Sequence, residues 1–321
     1  MKPVLCLGDA CVDLLIPYAD ALKAKSNRTA ELHSVDAKPS AGGSVANTAC
    51  AISRLSVPVC FAGTCGHDAY GFYLKNGLES EGVNTAYMRM DQKLPTQMVI
   101  LVLNEYGDRT AFACPAHGGS QHAIYPEQLP EDLHEKISWL HVSGMMLRED
   151  PAASTQLDFM RKCREAGVPV SIDVNARVEA IGDPFFYRNL LKAKQYASVI
   201  FGSANDEIPL LTDCRDAESA ASTLSEDGTV VIARSGEQGA VLYQYNKRVH
   251  FPAFQVNVMD TVGAGDAFNG AFIASRMLGH DLTESVRYAN AAAAICVSRS
   301  GARSAPTHAE LNEFMKTHTE S

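Results

Sequence analysis

Short apolar runs alternate with longer segments of helical spacing along most of the chain. Val4 to Leu7 is continuously apolar over a length that suits a buried strand, and Ser44 to Arg54 places Val45, Ala49 and Ile52 on one helical face. Strand-length runs recur at Val57 to Ala62, Trp139 to Val142, Val168 to Asp173, Val199 to Phe201 and Thr229 to Ala233. Helical patterns fall between them at Tyr70 to Glu81, Ser154 to Ala166 and Ala217 to Leu224. Strands that are apolar on both faces and separated by helices predict an α/β fold, a three-layer α/β/α sandwich around a mostly parallel sheet. Two stretches break the rhythm. Cys11 to Ile16 and Leu32 to Lys38 are strand-like without an intervening helix, and Met98 to Asn104 with Arg109 to Cys114 reads as a hairpin turning at Gly107 and Asp108. Together they predict a small β-sheet lid, inserted at about 11–16, 32–38 and 98–114 of a single domain spanning 1–321. A later hairpin, Ala240 to Tyr245 with Arg248 to Phe254, precedes two helices near Ala264 to Leu278 and Leu282 to Val297.

Composition narrows the class. With 321 residues, 46% apolar and 20% charged, the chain can bury a large core and is neither disordered nor membrane-like. Asp9 and Asp13 interrupt the first apolar stretch too early for a signal peptide, and no run is long enough to span a bilayer. The nine cysteines form no C-x-x-C pair, which favours free thiols in a reducing cytoplasm over disulfides or zinc. A formal charge of −9 disfavours a nucleic-acid partner, because backbone phosphates demand a basic face. An anionic ligand would have to be held by local amides, a metal or a few arginines.

Asp260-Thr261-Val262-Gly263-Ala264-Gly265-Asp266-Ala267-Phe268 directly precedes the apolar periodic positions Phe272, Ile273, Met277 and Leu278. Small residues at a helix start let backbone amides approach an anion, and the helix dipole there favours negative charge. Asp266 beside those amides would be an acceptor for a hydroxyl proton, so the turn combines a base with donors for a transferring phosphate. The alternative reading is a glycine-capped buried helix whose aspartate complements the dipole. There is no G-x-x-x-x-G-K-[ST], and Phe268 stands where a dinucleotide-binding G-x-G-x-x-G needs its third glycine.

The same segment resembles the C-terminal signature of the ribokinase-like, or PfkB-type, carbohydrate kinases. Ala41-Gly42-Gly43-Ser44-Val45-Ala46-Asn47-Thr48-Ala49 resembles the family's N-terminal glycine pair and helix, followed by Gly63-x-x-Gly66-x-Asp68-x-x-Gly71 and Gly82-Val83. Gly8 with Asp13 resembles the substrate-binding strand, and Gly107 to Thr110 the tip of the lid hairpin; the likeness runs from about Val4 to Pro306. It implies an ATP- and Mg2+-dependent transferase. Asp13, Gly42, Gly43 and Asn47 would line a sugar pocket, Asp266 would be the base, and the amides of Ala264, Gly265 and Asp266 an anion hole shaped by Gly263. Read locally, Asp13 could equally be a turn cap and Asn47 a helix N-terminal residue. Ser235, Gly236 and Gly239 resemble the nucleotide-side turn and Asn290 a residue near adenine, although such a turn and such an alanine-rich helix also serve packing alone. Asp260, Thr261, Ala302 and Ser304 fall where relatives hold a monovalent cation such as K+. One departure concerns Mg2+: Glu207 aligns with the end of an Asn-x-x-Glu element, but Ala204 stands in place of the Asn.

Asp173-Val174-Asn175-Ala176-Arg177 resembles a D-x-N-x-R segment of fructokinase-like and ketodeoxygluconate-kinase-like relatives, and strand C-termini face the ligand crevice in such sheets. An internal Asp173–Arg177 ion pair is the other reading. A ketohexose or related sugar acid is the favoured acceptor, a nucleoside the alternative, and a non-catalytic sugar-binding protein the alternative of another class. The lid edge suggests a homodimer.

Overall fold

The computed structural model of the protein describes residues 1–17, 37–103, 109–116, 118–176 and 180–318. In chain order the strands are β1 (Val4–Leu7), β2 (Cys11–Pro17), β3 (Pro39–Gly42), β4 (Val59–Gly66), β5 (Asn84–Asp91), β6 (Met98–Leu103), β7 (Arg109–Cys114), β8 (Trp139–Ser143), β9 (Val170–Asp173), β10 (Val199–Ser203), β11 (Val230–Arg234), β12 (Ala240–Gln244) and β13 (Lys247–Phe251). The α-helices are α1 (Ser44–Arg54), α2 (Ala69–Ser80), α3 (Leu133–Lys136), α4 (Ala152–Glu165), α5 (Pro184–Tyr196), α6 (Ala217–Ser225), α7 (Ala264–Met277), α8 (Leu282–Val297) and α9 (His308–Thr317).

Nine strands form the central sheet in the order β13-β12-β11-β10-β9-β8-β1-β4-β5. Every pair is parallel except β11/β12 and β12/β13. The period of two divides each strand between two cores. Val4 and Cys6 pack with α1, α2, α7, α8 and α9 on one face, while Leu5 and Leu7 pack with α3 to α6 on the other. Each such fully buried aliphatic side chain stabilises the fold by roughly 1.5–3 kcal/mol. Strands buried on both faces need helices on both, which is the three-layer sandwich the sequence predicts.

A second sheet, ordered β3-β2-β6-β7, stands apart from the first; β2 pairs antiparallel with β3 and parallel with β6, and β6 antiparallel with β7. The predicted strand at Leu32 to Lys38 falls mostly outside the described residues, as does the turn at Gly107 and Asp108; the strand that pairs with β2 is β3. Five elements lie outside the sequence expectations: β3, β5, α3, α5 and α9, of which α3 is a single short turn. β3 and β5 carry too many exposed positions for a continuous apolar run. For α5 the start signal is present, with Asp183 capping through Phe185 N at 2.9 Å and Pro184 in the first turn. The capping box of Thr307 and Glu310 likewise opens α9.

Candidate active site

The predicted residues gather where the N-termini of α1 and α7 meet the C-terminal ends of β1, β9 and β11. Two close approaches set this arrangement. Gly263 caps α7 at φ +82, in the left-handed region, and a Cβ there would strike the Ala302 carbonyl. Farther along α7, a Cβ on Gly270 would come within 2.6 Å of Ala51 Cβ, so α1 and α7 pack almost backbone to backbone. The start of α1, like that of α7, has no side-chain cap of its own. The Asp9 carboxylate, just beyond β1, instead accepts from Ser44 N at 2.8 Å and Val45 N at 3.3 Å.

Those contacts bring α1 side chains onto Asp266. Ser44 Oγ donates to Asp266 Oδ1 at 2.7 Å and Asn47 Nδ2 donates to Oδ2 at 2.9 Å. Thr48 Oγ1 donates to the Asp266 carbonyl at 3.4 Å. The residue keeps some surface at the helix tip, but protein atoms surround its carboxyl. Burial pushes it up to about 7, against the pull of the Ser44 and Asn47 hydrogen bonds and with the negative charges of Asp173 and Asp9 adding to the rise. A carboxyl poised there can accept a proton near neutral pH, and the first amides of a helix lack intrahelical carbonyl partners; in α7 Ala264 N makes only a long 3.4 Å bond back to the Thr261 carbonyl.

Beside Asp266 stands the glycine pair that precedes α1. Gly43 at φ +96 leaves room for Ala10 Cα, 2.6 Å from where its Cβ would be, and a Cβ on Gly42 would strike the Asp13 carboxylate. Asp13 thus faces the glycine pair across the β2/β3 ladder, where it is paired with Ser40. Arg303, from the loop between α8 and α9, donates from Nε to Asn47 Oδ1 at 3.1 Å and from Nη2 to the Gly42 carbonyl at 3.3 Å.

On the other side of Asp266 a buried ionic cluster joins three strand ends to α7. Arg234 Nη2 meets Asp173 Oδ1 at 2.7 Å, while its Nη1 donates to Asn269 Oδ1 at 3.0 Å and the Gly265 carbonyl at 3.3 Å. Asn269 Nδ2 closes the ring onto Asp173 Oδ2 at 2.6 Å. Glu207 accepts from Ser203 N at 2.6 Å and Ala176 N at 2.8 Å and lies 3.9 Å from Arg234. Burial, then the Asp173 charge, raises the Glu207 carboxyl. Ala204 packs in the core, its amide donating to the Arg234 carbonyl at 2.8 Å. Arg177 lies outside the described residues; the guanidinium that pairs with Asp173 is that of Arg234.

The remaining positions are placed as follows. Ser235, Gly236 and Gly239 form the β11/β12 turn, with Ser235 N donating to the Gly239 carbonyl at 2.8 Å. Asn290 Nδ2 donates to the Phe251 and Pro252 carbonyls at 3.1 and 3.2 Å, bracing the end of β13. Asp260 accepts from Val262 N and Gly301 N at 3.1 and 3.2 Å; Thr261 is exposed, and Ser304 Oγ donates to the Ser300 and Gly301 carbonyls. Among the described residues no group of three or more His, Cys, Asp or Glu side chains is arranged to hold a metal ion, and no helix is long and apolar enough to cross a membrane. Ser44, Arg234, Asn269 and Arg303 were not singled out from the sequence. Asn269 is signalled by its place one turn after Asp266, whereas nothing local marks either arginine.

Comparison with known proteins shows the family. The chain is 31% identical to the aminoimidazole riboside kinase of Salmonella typhimurium over 326 residues, 99% of this chain and 97% of the relative. It is 32% identical to an ATP-dependent ribose-1-phosphate kinase of Halopiger xanaduensis, covering 87% of each. A double-mutant fructokinase of Vibrio cholerae O395, solved in its fructose-, ADP- and potassium-bound form, superposes with a TM-score of 0.82 at 26% identity over 98% of both chains. Residues 1–309 match the profile described as pfkB family carbohydrate kinase, and the chain accordingly belongs to that family.

Proposed function

We propose that the protein transfers a phosphoryl group from ATP to a hydroxyl of a ketohexose or a ketodeoxygluconate-like sugar acid, with Asp266 as the general base. The observation that carries this reading is the Asp266 carboxyl itself, raised to about 7 at the N-terminus of α7 and held by Ser44 and Asn47. A base of that strength can take the acceptor's proton on an ordinary carboxylate oxygen as the new phosphate bond forms. The amides of Ala264, Gly265 and Asp266 lie at the positive end of the helix dipole and would stabilise charge on the transferring group. Asp13, Gly42, Gly43 and Asn47 would orient the acceptor on one side, and Asp173, held by Arg234 and Asn269, would act on it only through that cluster. The Ser235–Gly239 turn and Asn290 would border the nucleotide on the other. The second sheet would close over the acceptor as a lid on a single kinase unit.

Mg2+, when bound with ATP, would neutralise phosphate charge. Glu207 is the residue in this chain suited to bear on it: both its oxygens already accept backbone amides, so it fits the ion's waters rather than direct ligation. Asp260, Thr261, Ala302 and Ser304 would hold K+, in keeping with the potassium-bound fructokinase. The nine free cysteines accord with a cytoplasmic location, and the exposed Leu15 and Phe112 of the second sheet with a homodimer formed there. A nucleoside acceptor is the second reading, favoured by the aminoimidazole riboside kinase relative.

The test is a coupled ADP-release assay with Mg2+ and K+ over ketohexoses, sugar acids, pentoses and nucleosides. Release stimulated by a ketohexose or sugar acid supports the proposal. Stimulation by nucleosides alone replaces the acceptor class, and no stimulation by any acceptor favours a non-catalytic sugar-binding protein.

A further inference from the structure

We propose that Arg303 is a positioning residue: by occupying Asn47 Oδ1 it locks the Asn47 amide with its Nδ2 turned towards Asp266. The inference rests on the reading of Asp266 as the base.

An asparagine amide has a donor end and an acceptor end of nearly equal size, so its orientation is decided by its partners. Here the partners are of opposite kinds. An ionised Asp266 only accepts, and a guanidinium only donates. With Nδ2 towards Asp266 at 2.9 Å and Oδ1 towards Arg303 Nε at 3.1 Å, both contacts are attractive. The flipped amide would set oxygen against carboxylate and N–H against guanidinium, making both contacts repulsive. Because an arginine stays charged throughout the working pH range, the lock does not loosen as Asp266 gains or loses its proton.

The arginine is well placed for such a task. Among the described residues it takes part in no ion pair; the Glu81 carboxylate feels its charge only from farther off and is itself paired with Arg54, which leaves the guanidinium to the amide. Its second contact, Nη2 to the Gly42 carbonyl, steadies the β3–α1 junction on which Asn47 is carried. The loop bearing it is fastened to the other end of α1, where Arg54 Nη1 donates to the Ala305 carbonyl at 2.7 Å. Two attachments to one helix hold the guanidinium in register with the Asn47 side chain.

The contact with Gly42 means that a loss of activity in Arg303→Ala could arise from structure alone, so the test reads the amide directly. In a 1H–15N spectrum of the ligand-free full chain, the Asn47 side-chain NH2 pair is assigned by its loss in Asn47→Ala. In Arg303→Ala that pair should move towards the position of a free amide, and its solvent exchange should quicken at least about tenfold as the hydrogen bond to Asp266 is lost. Arg303→Lys, which keeps a donor, should restore much of the protection. If Arg303→Ala does not fold, Arg303→Met keeps the aliphatic stem and carries the same measurement. An Asn47 pair unchanged in the folded variant overturns the proposal. ADP release from MgATP with D-fructose and D-ribose adds a cycle on kcat. Arg303→Ala should lower kcat roughly tenfold to a hundredfold with KM for MgATP little changed. The double variant with Asn47→Ala should fall no further than Asn47→Ala alone; multiplicative losses overturn the idea. Asp266→Asn run alongside separates the two claims: retained turnover there sinks the base assignment, while the amide spectrum still judges Arg303.

Discussion

Asp266→Asn tests the base in two independent ways, through rate and through stability. The new side chain has nearly the same shape, and the existing donors dictate its orientation. Its oxygen would face Asn47 Nδ2, and its NH2 would face Ser44 Oγ, whose hydroxyl can rotate to accept. The fold should therefore survive while the proton acceptor is lost, lowering kcat by about 10²–10⁴. Stability should move the other way. The Asp266 carboxyl is displaced from 3.8 to about 7, mainly by burial. At about 1.36 kcal/mol for each pH unit, its ionisation in the folded protein costs at most roughly 4 kcal/mol. Between 3.8 and about 7 the folded carboxyl retains a proton that the unfolded chain has released, so this group makes stability fall as pH rises across that window. The amide carries no such cost. At pH 8 the ligand-free variant should melt above the wild type, by up to about 8 °C if each kcal/mol is worth roughly 2 °C at this chain length. Near pH 4 the gap should close. Thermal melts of both proteins at the two pH values, with ADP release measured on the same preparations, decide the matter. Near wild-type turnover, or equal melting at pH 8, would refute the reasoning.

Three further outcomes follow from the same geometry. Arg234→Met should cost about 3–5 kcal/mol in urea unfolding by stranding the buried Asp173 carboxylate, and adding Asp173→Asn should recover part of the loss. Glu207→Gln should lose about 1–3 kcal/mol, because its NH2 must confront the backbone N–H of either Ser203 or Ala176, and the same unfolding assay reads the loss. Gly263→Ala should lower the melting temperature and ADP release together. A left-handed conformation costs a residue with a Cβ roughly 1–2 kcal/mol before the clash with the Ala302 carbonyl is counted.

The sequence announces those parts of the fold that repeat a single period. β1 and β11, apolar on both faces, and α1, with Val45, Ala49 and Ile52 aligned, are legible because one physical rule governs each of their residues. β5 was not legible, since exposed positions such as Asn84, Ala86 and Arg89 interrupt its apolar run. The candidate site divides in the same way. Gly263 to Asp266 and Gly42 to Asn47 are contiguous, and their chemistry follows from short-range backbone demands. Arg234 and Arg303 act through partners far along the chain: Arg234 meets Asp173, and Arg303 meets Asn47, across 61 and 256 positions. Single-residue patterns carry no trace of such pairings. Asp173 was read as a substrate contact with an Arg177 ion pair as the alternative; the pair it makes is with Arg234 of β11, which the sheet order separates from β9 by one strand.

The near-contact of α1 and α7 at Ala51 and Gly270 has a bearing on how such an enzyme can change over time. Ser44 and Asn47 on one helix and Asp266 on the other move as one body, because no side chain lies between the helices at that point to yield. Asp13, by contrast, belongs to the separate four-stranded sheet. On the proposed roles, the base would sit on the helix pair and one acceptor contact, Asp13, on the separate sheet, with Asn47 serving both. Substitutions at Asp13 could then alter that contact without displacing Asp266, whereas a larger residue at position 270 would wedge the helices apart and, if Asp266 is the base, cost turnover with every acceptor at once.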